Sequence, residues 1–126
     1  LGRVIYSGSA IANTNIPGLI GGFAGERVLR APCDGVFTAV HRIGDTVEEG
    51  ETIGLVEGVP MKCTIGGVLR GVLDDGVRVQ KGMKSGDVDP RGKAEYCTTV
   101  SDKALAVGGG VVEAVLYLRA KAQGRR

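Results

Sequence analysis

Few side chains in this sequence stand where they could do chemistry. The three cysteines, Cys33, Cys63 and Cys97, are odd in number and lack a CxxC pair, which argues against a disulfide scaffold and against a preassembled zinc site. Cys97, in "EYCTTVSD", comes just ahead of a candidate helix start. A thiol near a helix N-terminus can be activated, so Cys97 is the thiol candidate, although a small buried core residue is its more ordinary role. His41 is the one histidine, and its position between a strand and a turn suits an ordinary turn residue. The binding candidates are Asp87, Asp89 and Arg91 in "GDVDPRG" and Ser101, Asp102 and Lys103 in "VSDK", whose simplest alternative role is in turns and caps. No Ser/His/Asp, Cys/His or paired-carboxylate arrangement can be assembled. The expectation is therefore no catalytic set, no metal site and no cofactor.

The elements that would position these groups follow from an internal repeat. With Ala31 set against Cys63 and no gaps, Gly35 meets Gly67, Val36 meets Val68, Val47 meets Val79, Gly54 meets Gly86 and Val56 meets Val88, all at an offset of 32 residues. Two copies are too few for a solenoid, which takes about three, so a closed pseudo-symmetric unit is expected. Each copy has a turn, an alternating strand ("VFTAV" or "VLRGV"), a second turn at Gly44-Asp45 or Asp75-Gly76, and a short strand in "TVEEG" or "RVQKG". Period-two alternation, β-branched residues and Gly/Asp punctuation are β signals, with Val47 and Val79 expected to point inward.

The stretch "APCDGVFTAVHRIGDTVEEGETIGLVEG" resembles half of a biotinyl/lipoyl-like barrel-sandwich hybrid, in which "APxDG" opens a half and "GDxVxxG" marks the following turn and strand. The resemblance implies two four-stranded sheets built from two half-motifs. It also raises a swinging-arm carrier with Lys62 modified, since "VPMKC" echoes the Met-Lys pair of biotin carriers. The register opposes that reading. Lys62 corresponds to Arg30 in the repeat and falls ahead of a turn, whereas the hairpin tip falls near Glu57-Gly58-Val59-Pro60.

The flanks differ from the repeat. Residues 1–30 suggest an irregular arm with a short strand at Val4-Ile5-Tyr6, residues 31–92 the β unit, and residues 93–126 a connecting segment and helix. Ser101 or Asp102 is the expected N-cap, and Ala104, Leu105, Gly108, Val111, Val112, Val115, Leu116 and Leu118 fall on or near one helical face. Gly108-Gly109-Gly110 inside that pattern costs about 1 kcal/mol per glycine relative to Ala, a cost that close backbone packing would explain.

Composition restricts the classes. Of 126 residues 22 are Gly, 43% are hydrophobic and 4% aromatic, and Trp is absent, so the core must be aliphatic. The net charge of +2 is concentrated at Arg119, Lys121, Arg125 and Arg126, which suits a solvated helix end better than a nucleic-acid surface. No apolar run approaches the ~20 residues of a membrane span, and no signal peptide is expected. A cytoplasmic protein is the default expectation. The chain begins at Leu1 rather than Met, as expected of a processed or excised piece.

Taken together, "IPGLIGG", "ERVLRAPCDGVF", "GDTVEEGETIGLVEG", "GVLRGVLDDGVRVQKGMKSGDVDPRG" and "YCTTVSDKALAVGGGVVEAVL" resemble the C-terminal region of the YqeB-like family, accessory proteins of the selenium-dependent molybdenum hydroxylase system. The resemblance runs from about Leu1 to Leu118, and "GDVDPRG" and "SDKALAVGGGVVEAVL" are its specific parts. It implies a cytoplasmic bacterial protein that helps mature or supply such hydroxylases, with an N-terminal Rossmann-type half that is not in this stretch. It carries over no catalytic residues. The leading expectation is a non-catalytic module that binds a partner protein, a molybdenum hydroxylase or its maturation machinery, or the cofactor being delivered. A thiol-based enzyme handling selenium or the molybdenum cofactor is the alternative, and a carrier domain the third. Neither nucleic acid nor membrane is expected as a partner, and self-association stays open.

Overall fold

The computed structural model describes residues 1–124; Arg125 and Arg126, part of the terminal basic cluster, lie outside the described residues. Among the described residues, eight strands form two four-stranded antiparallel sheets. The strands are β1 (Val28–Arg30), β2 (Gly35–Ala39), β3 (Thr46–Val47), β4 (Thr52–Val56), β5 (Val59–Lys62), β6 (Gly67–Val72), β7 (Arg78–Val79) and β8 (Lys84–Asp89), followed by one helix, α1 (Asp102–Ala122). The chain is therefore mostly β with a C-terminal helix. It divides into a β unit, Thr14–Thr98, and a helical unit made of Leu1–Asn13 and the chain from Thr99 onward.

The repeat dictates the sheet topology. One sheet has the order β1-β8-β6-β3 and the other β5-β4-β2-β7. Moving each strand four places along the chain converts one order into the other. Outside a one-residue shift between β6 and β8, the registers agree: Gly35 lies opposite Val79 as Gly67 lies opposite Val47, and Leu29 opposite Gly86 as Met61 opposite Gly54. Equivalent positions also supply the core. Phe37 and Leu69, Val47 and Val79, Val56 and Val88, Leu29 and Met61, and Ala31 and Cys63 are all buried in one cluster. Each large member contributes about 1.5–3 kcal/mol by leaving water.

The β unit starts earlier than residue 31. Strand β1 at Val28–Arg30 is the counterpart of β5 and pairs with β8, so each half requires the residues just before its opening turn. At the other end, Ala94–Cys97 form a 3-10 turn packed on β6. The strand expected at Val4-Ile5-Tyr6 is absent. A strand needs a neighbour to complete its ladder, and this arm lies instead against α1, where Tyr6 donates from its hydroxyl to Glu113 (2.6 Å) and meets the Tyr117 ring edge-on at 4.7 Å. Within the same unit, the Ser101 hydroxyl caps α1 by accepting from the Ala104 amide.

The glycine triplet divides in two. A Cβ on Gly110 would run into the backbone of Gly2, whereas Gly108 and Gly109 face open space. Close approach therefore explains Gly110 alone. Gly108→Ala should stabilise α1 by about 0.5–1 kcal/mol, seen as a higher thermal midpoint by circular dichroism. Gly110→Ala should gain nothing net and should release the arm, read as faster tryptic cleavage after Arg3.

Candidate functional site

The two copies share a core but differ on the outer side of β8. Asp87 stands where the first copy has Leu55, Asp89 where it has Glu57, Arg70 where it has Thr38, and Arg27 where the second copy's β5 begins with Val59. Asp87 and Asp89 are two apart on one strand and so share a face. Around them the fold gathers three arginines, Arg27 and Arg70 from distant parts of the sequence and Arg91 from the adjoining turn.

Asp89 is the best-connected group. It is 1% exposed and opens the turn Asp89-Pro90-Arg91-Gly92, closed by the Gly92 amide donating to the Asp89 carbonyl (3.3 Å) with Gly92 at φ +68°. Pro at the second position and Gly at the fourth are the residues such a turn favours. The turn folds Arg91 back onto the carboxylate. Its amide donates at 3.0 Å, Nε at 2.9 Å to one oxygen, and Nη2 at 2.6 Å to the other, a bidentate fork. Arg70 approaches the same carboxylate from β6 at 3.5 Å. The Arg91 fork in the first place holds the Asp89 carboxyl below the usual carboxylate range, against the opposing effect of burial. Arg91 in turn keeps its proton more tightly, chiefly through Asp89, and its guanidinium stacks 4.1 Å from the centre of the Tyr96 ring.

Arg70 owes its position to an irregularity. Leu69 faces Val88 and Gly71 faces Asp87, so Arg70 is the extra residue of a β-bulge. The first copy pairs Phe37, Thr38 and Ala39 without interruption. Bulges redirect side chains and are frequent beside functional sites.

Asp87 pairs with Arg27 at 3.1 Å, with side chains 16% and 6% exposed. Arg27 reaches it from a 3-10 turn (Gly25–Arg27) and also donates to the Gly18 carbonyl at 2.9 Å. Arg27 Nε and Asp87 Oδ1 are both buried without a hydrogen-bond partner. Burial of charges that are incompletely bonded is costly.

Of the residues expected from sequence, Asp87, Asp89 and Arg91 thus form one face with Arg27, Arg70 and Tyr96. Ser101, Asp102 and Lys103 belong to the helical unit, where Ser101 is the cap and the other two are exposed in the first turn. Cys97 is half-buried in the 3-10 turn, its thiol directed at the Leu69 carbonyl at 3.7 Å. Cys63 is buried, and burial pushes its thiol pKa up. His41 is more engaged than a plain turn residue. Its Nδ1 lies 3.2 Å from Asp45 and its Nε2 3.0 Å from Glu51. The Arg42 amide, and after it His41, lower the Asp45 pKa. No group of three or more metal-ligating side chains occurs among the described residues. Lys62 ends β5, and the hairpin tip ahead of it is Glu57-Gly58, with φ +48° and +78°.

No family model matches the chain. It is 48% identical over 118 residues to the uncharacterized protein YqeB of Escherichia coli strain K12, covering 94% of this chain and 22% of that protein. The chain is YqeB-like over most of its length. It spans about a fifth of the relative. Among solved structures, an aspartoacylase family protein of Mesorhizobium loti has a TM-score of 0.46 at 17% identity, covering 50% of this chain and 22% of that one; a likeness at that level carries no argument here. No helix among the described residues is long and apolar enough to cross a membrane.

The Asp89 fork has a pH signature. A carboxylate with a depressed folded pKa contributes stability above its unfolded value of about 3.9, and that contribution is lost as pH falls through the folded pKa. Asp89→Asn should cost about 3 kcal/mol at neutral pH, the low end for a broken buried pair because Arg91 is 37% exposed. The deficit relative to the parent should shrink once the pH drops below about 4. Urea unfolding across pH checks both statements.

Proposed function

We propose that this chain is a non-catalytic docking module of an accessory protein that matures or supplies selenium-dependent molybdenum hydroxylases, working in the cytoplasm. On this reading the two sheets are a biotinyl/lipoyl-like barrel-sandwich hybrid that has lost its carrier function. The turn that would present a modified lysine holds Glu57-Gly58, and the charged face of the second half takes over recognition. The hydroxylase, or the machinery that serves it, is the partner.

One observation carries the reading. The copies match in fold and core, yet on one outer face the second copy carries Arg70, Asp87 and Asp89 and the first contributes Arg27 where the second has Val59, in a partly unsatisfied network. Replacing such ion pairs by apolar residues is often neutral or stabilising. A stability role alone gives little reason to keep charges where the first copy keeps Leu55 and Thr38. Recognition does, because paired charges and a stacked Arg91-Tyr96 edge give orientation and specificity to a protein interface. The choice of a hydroxylase as partner rests on the resemblance of the sequence to the YqeB-like accessory family; the Escherichia coli relative is itself uncharacterized.

The test is capture of a purified selenium-dependent molybdenum hydroxylase by the immobilised chain. Capture is expected, and Arg91→Ala should weaken it about tenfold, which corresponds to 1.4 kcal/mol, with Arg91→Lys restoring only part because the bidentate fork is lost. No capture by the correctly folded chain would remove the proposal.

A further inference from the structure

The charged face borders a groove that shares Arg70 and Asp87 with it but extends over residues the docking reading does not use. It has a volume of about 440 Å³ and is lined by Arg70, Gly71, Val72, Leu73, Lys84 and Asp87, among others. That volume lies within the ~300–1,000 Å³ range of small-molecule pockets. The bulge at Arg70 opens it, and Gly71 leaves it unfilled. A Cβ on Gly71 would meet only ordinary van der Waals contacts, 3.7 Å from Asp87 Cβ, and Gly71 has no positive φ. Neither backbone geometry nor packing demands a glycine there, but an open floor does.

Charge accounting shows what the groove attracts. Asp87 is paired with Arg27. Asp89 is saturated by the two-pronged contact from Arg91, so that Arg70 touches it only at 3.5 Å. Asp87 is itself part of the groove wall, but Arg27, Arg70, Arg91 and Lys84 outnumber Asp87 and Asp89 around it four to two, so the surroundings stay positive. The next carboxylates along the chain, Asp74 and Asp75, line a neighbouring cleft with His41 and Arg42, and Asp75 is held by the Ala39 amide at 2.6 Å. Val72 and Leu73 add half-buried apolar surface.

We infer that this groove binds a small organic anion, a phosphate ester or carboxylate with an apolar or aromatic body. The anionic head is held between Arg70 and Lys84, and the body lies over Gly71 against Val72 and Leu73. The inference goes beyond the docking role and stands whether or not the hydroxylase is captured.

The test uses the full 126-residue chain and phenyl phosphate as probe, with inorganic phosphate as the head without a body, followed by titration calorimetry. Saturable binding of phenyl phosphate is expected, at least tenfold tighter than inorganic phosphate and weaker at higher salt. Gly71→Val should fill the floor and abolish binding, and Lys84→Gln should weaken it severalfold; Lys84 is exposed, so the fold survives that change. Arg70→Gln should weaken it further. Circular dichroism identifies any variant that fails to fold, and Lys84→Gln with Gly71→Ala then decides. Absence of saturable binding, equal affinity for the two probes, or full binding by the folded groove variants would each overturn the inference.

Discussion

The Asp89 carboxylate, buried and gripped by Arg91 at both oxygens, is the interaction on which the outer face of the second half depends. It closes the turn that ends β8, turns Arg91 onto Tyr96, and leaves Arg70 only loosely engaged. An isolated carboxylate at 1% exposure would be untenable, since burial of an unpaired charge costs several kcal/mol. The turn sequence Asp-Pro-Arg-Gly solves this locally. Pro90 and Gly92 set the chain reversal and the arginine is delivered two residues from the acid it neutralises, so little chain entropy is spent on the pairing.

The rest of the β unit can be understood as a symmetric scaffold around that asymmetry. Two copies at an offset of 32 residues exchange strands so that each sheet draws strands from both, and the core is filled by matched positions. Symmetry of this kind fixes the inside. It leaves the outer positions free to diverge, because a residue facing outward on a strand does not affect the partner sheet. The bulge at Arg70 is the backbone expression of this divergence, and Gly71 beside it keeps the surface open.

Much of this was legible in the sequence. The repeat located β2, β3, β6 and β7, the inward Val47 and Val79, and the hairpin tip near Glu57-Gly58, because tight turns and alternation are local signals. Ser101 as helix cap was equally local. Asp87, Asp89 and Arg91 stood out as a polar run, but their partners did not. Arg27 sits in an irregular segment with no period to place it, and its pairing with Asp87 spans the whole β unit. Arg70 was hidden because a gapless alignment of the two copies conceals a bulge, although the substitution of Thr38 by Arg70 was a visible departure. The strand expected at Val4–Tyr6 failed for lack of a pairing neighbour, which local alternation cannot report. Grouping Ser101, Asp102 and Lys103 with the aspartates rested on nearness in sequence, and the chain passes from the β unit to the helical unit between them.

On the docking proposal, the charged face is kept for recognition rather than for stability. The direct measurement is to give each position its repeat counterpart, Arg27→Val with Asp87→Leu, and to compare unfolding free energy and hydroxylase capture with the parent. The account predicts a folded protein of equal stability, or one more stable by about 1–4 kcal/mol as for other buried pairs replaced by apolar residues, that has lost capture. A folded double variant that captures the hydroxylase as well as the parent, or one that loses several kcal/mol of stability, would contradict it.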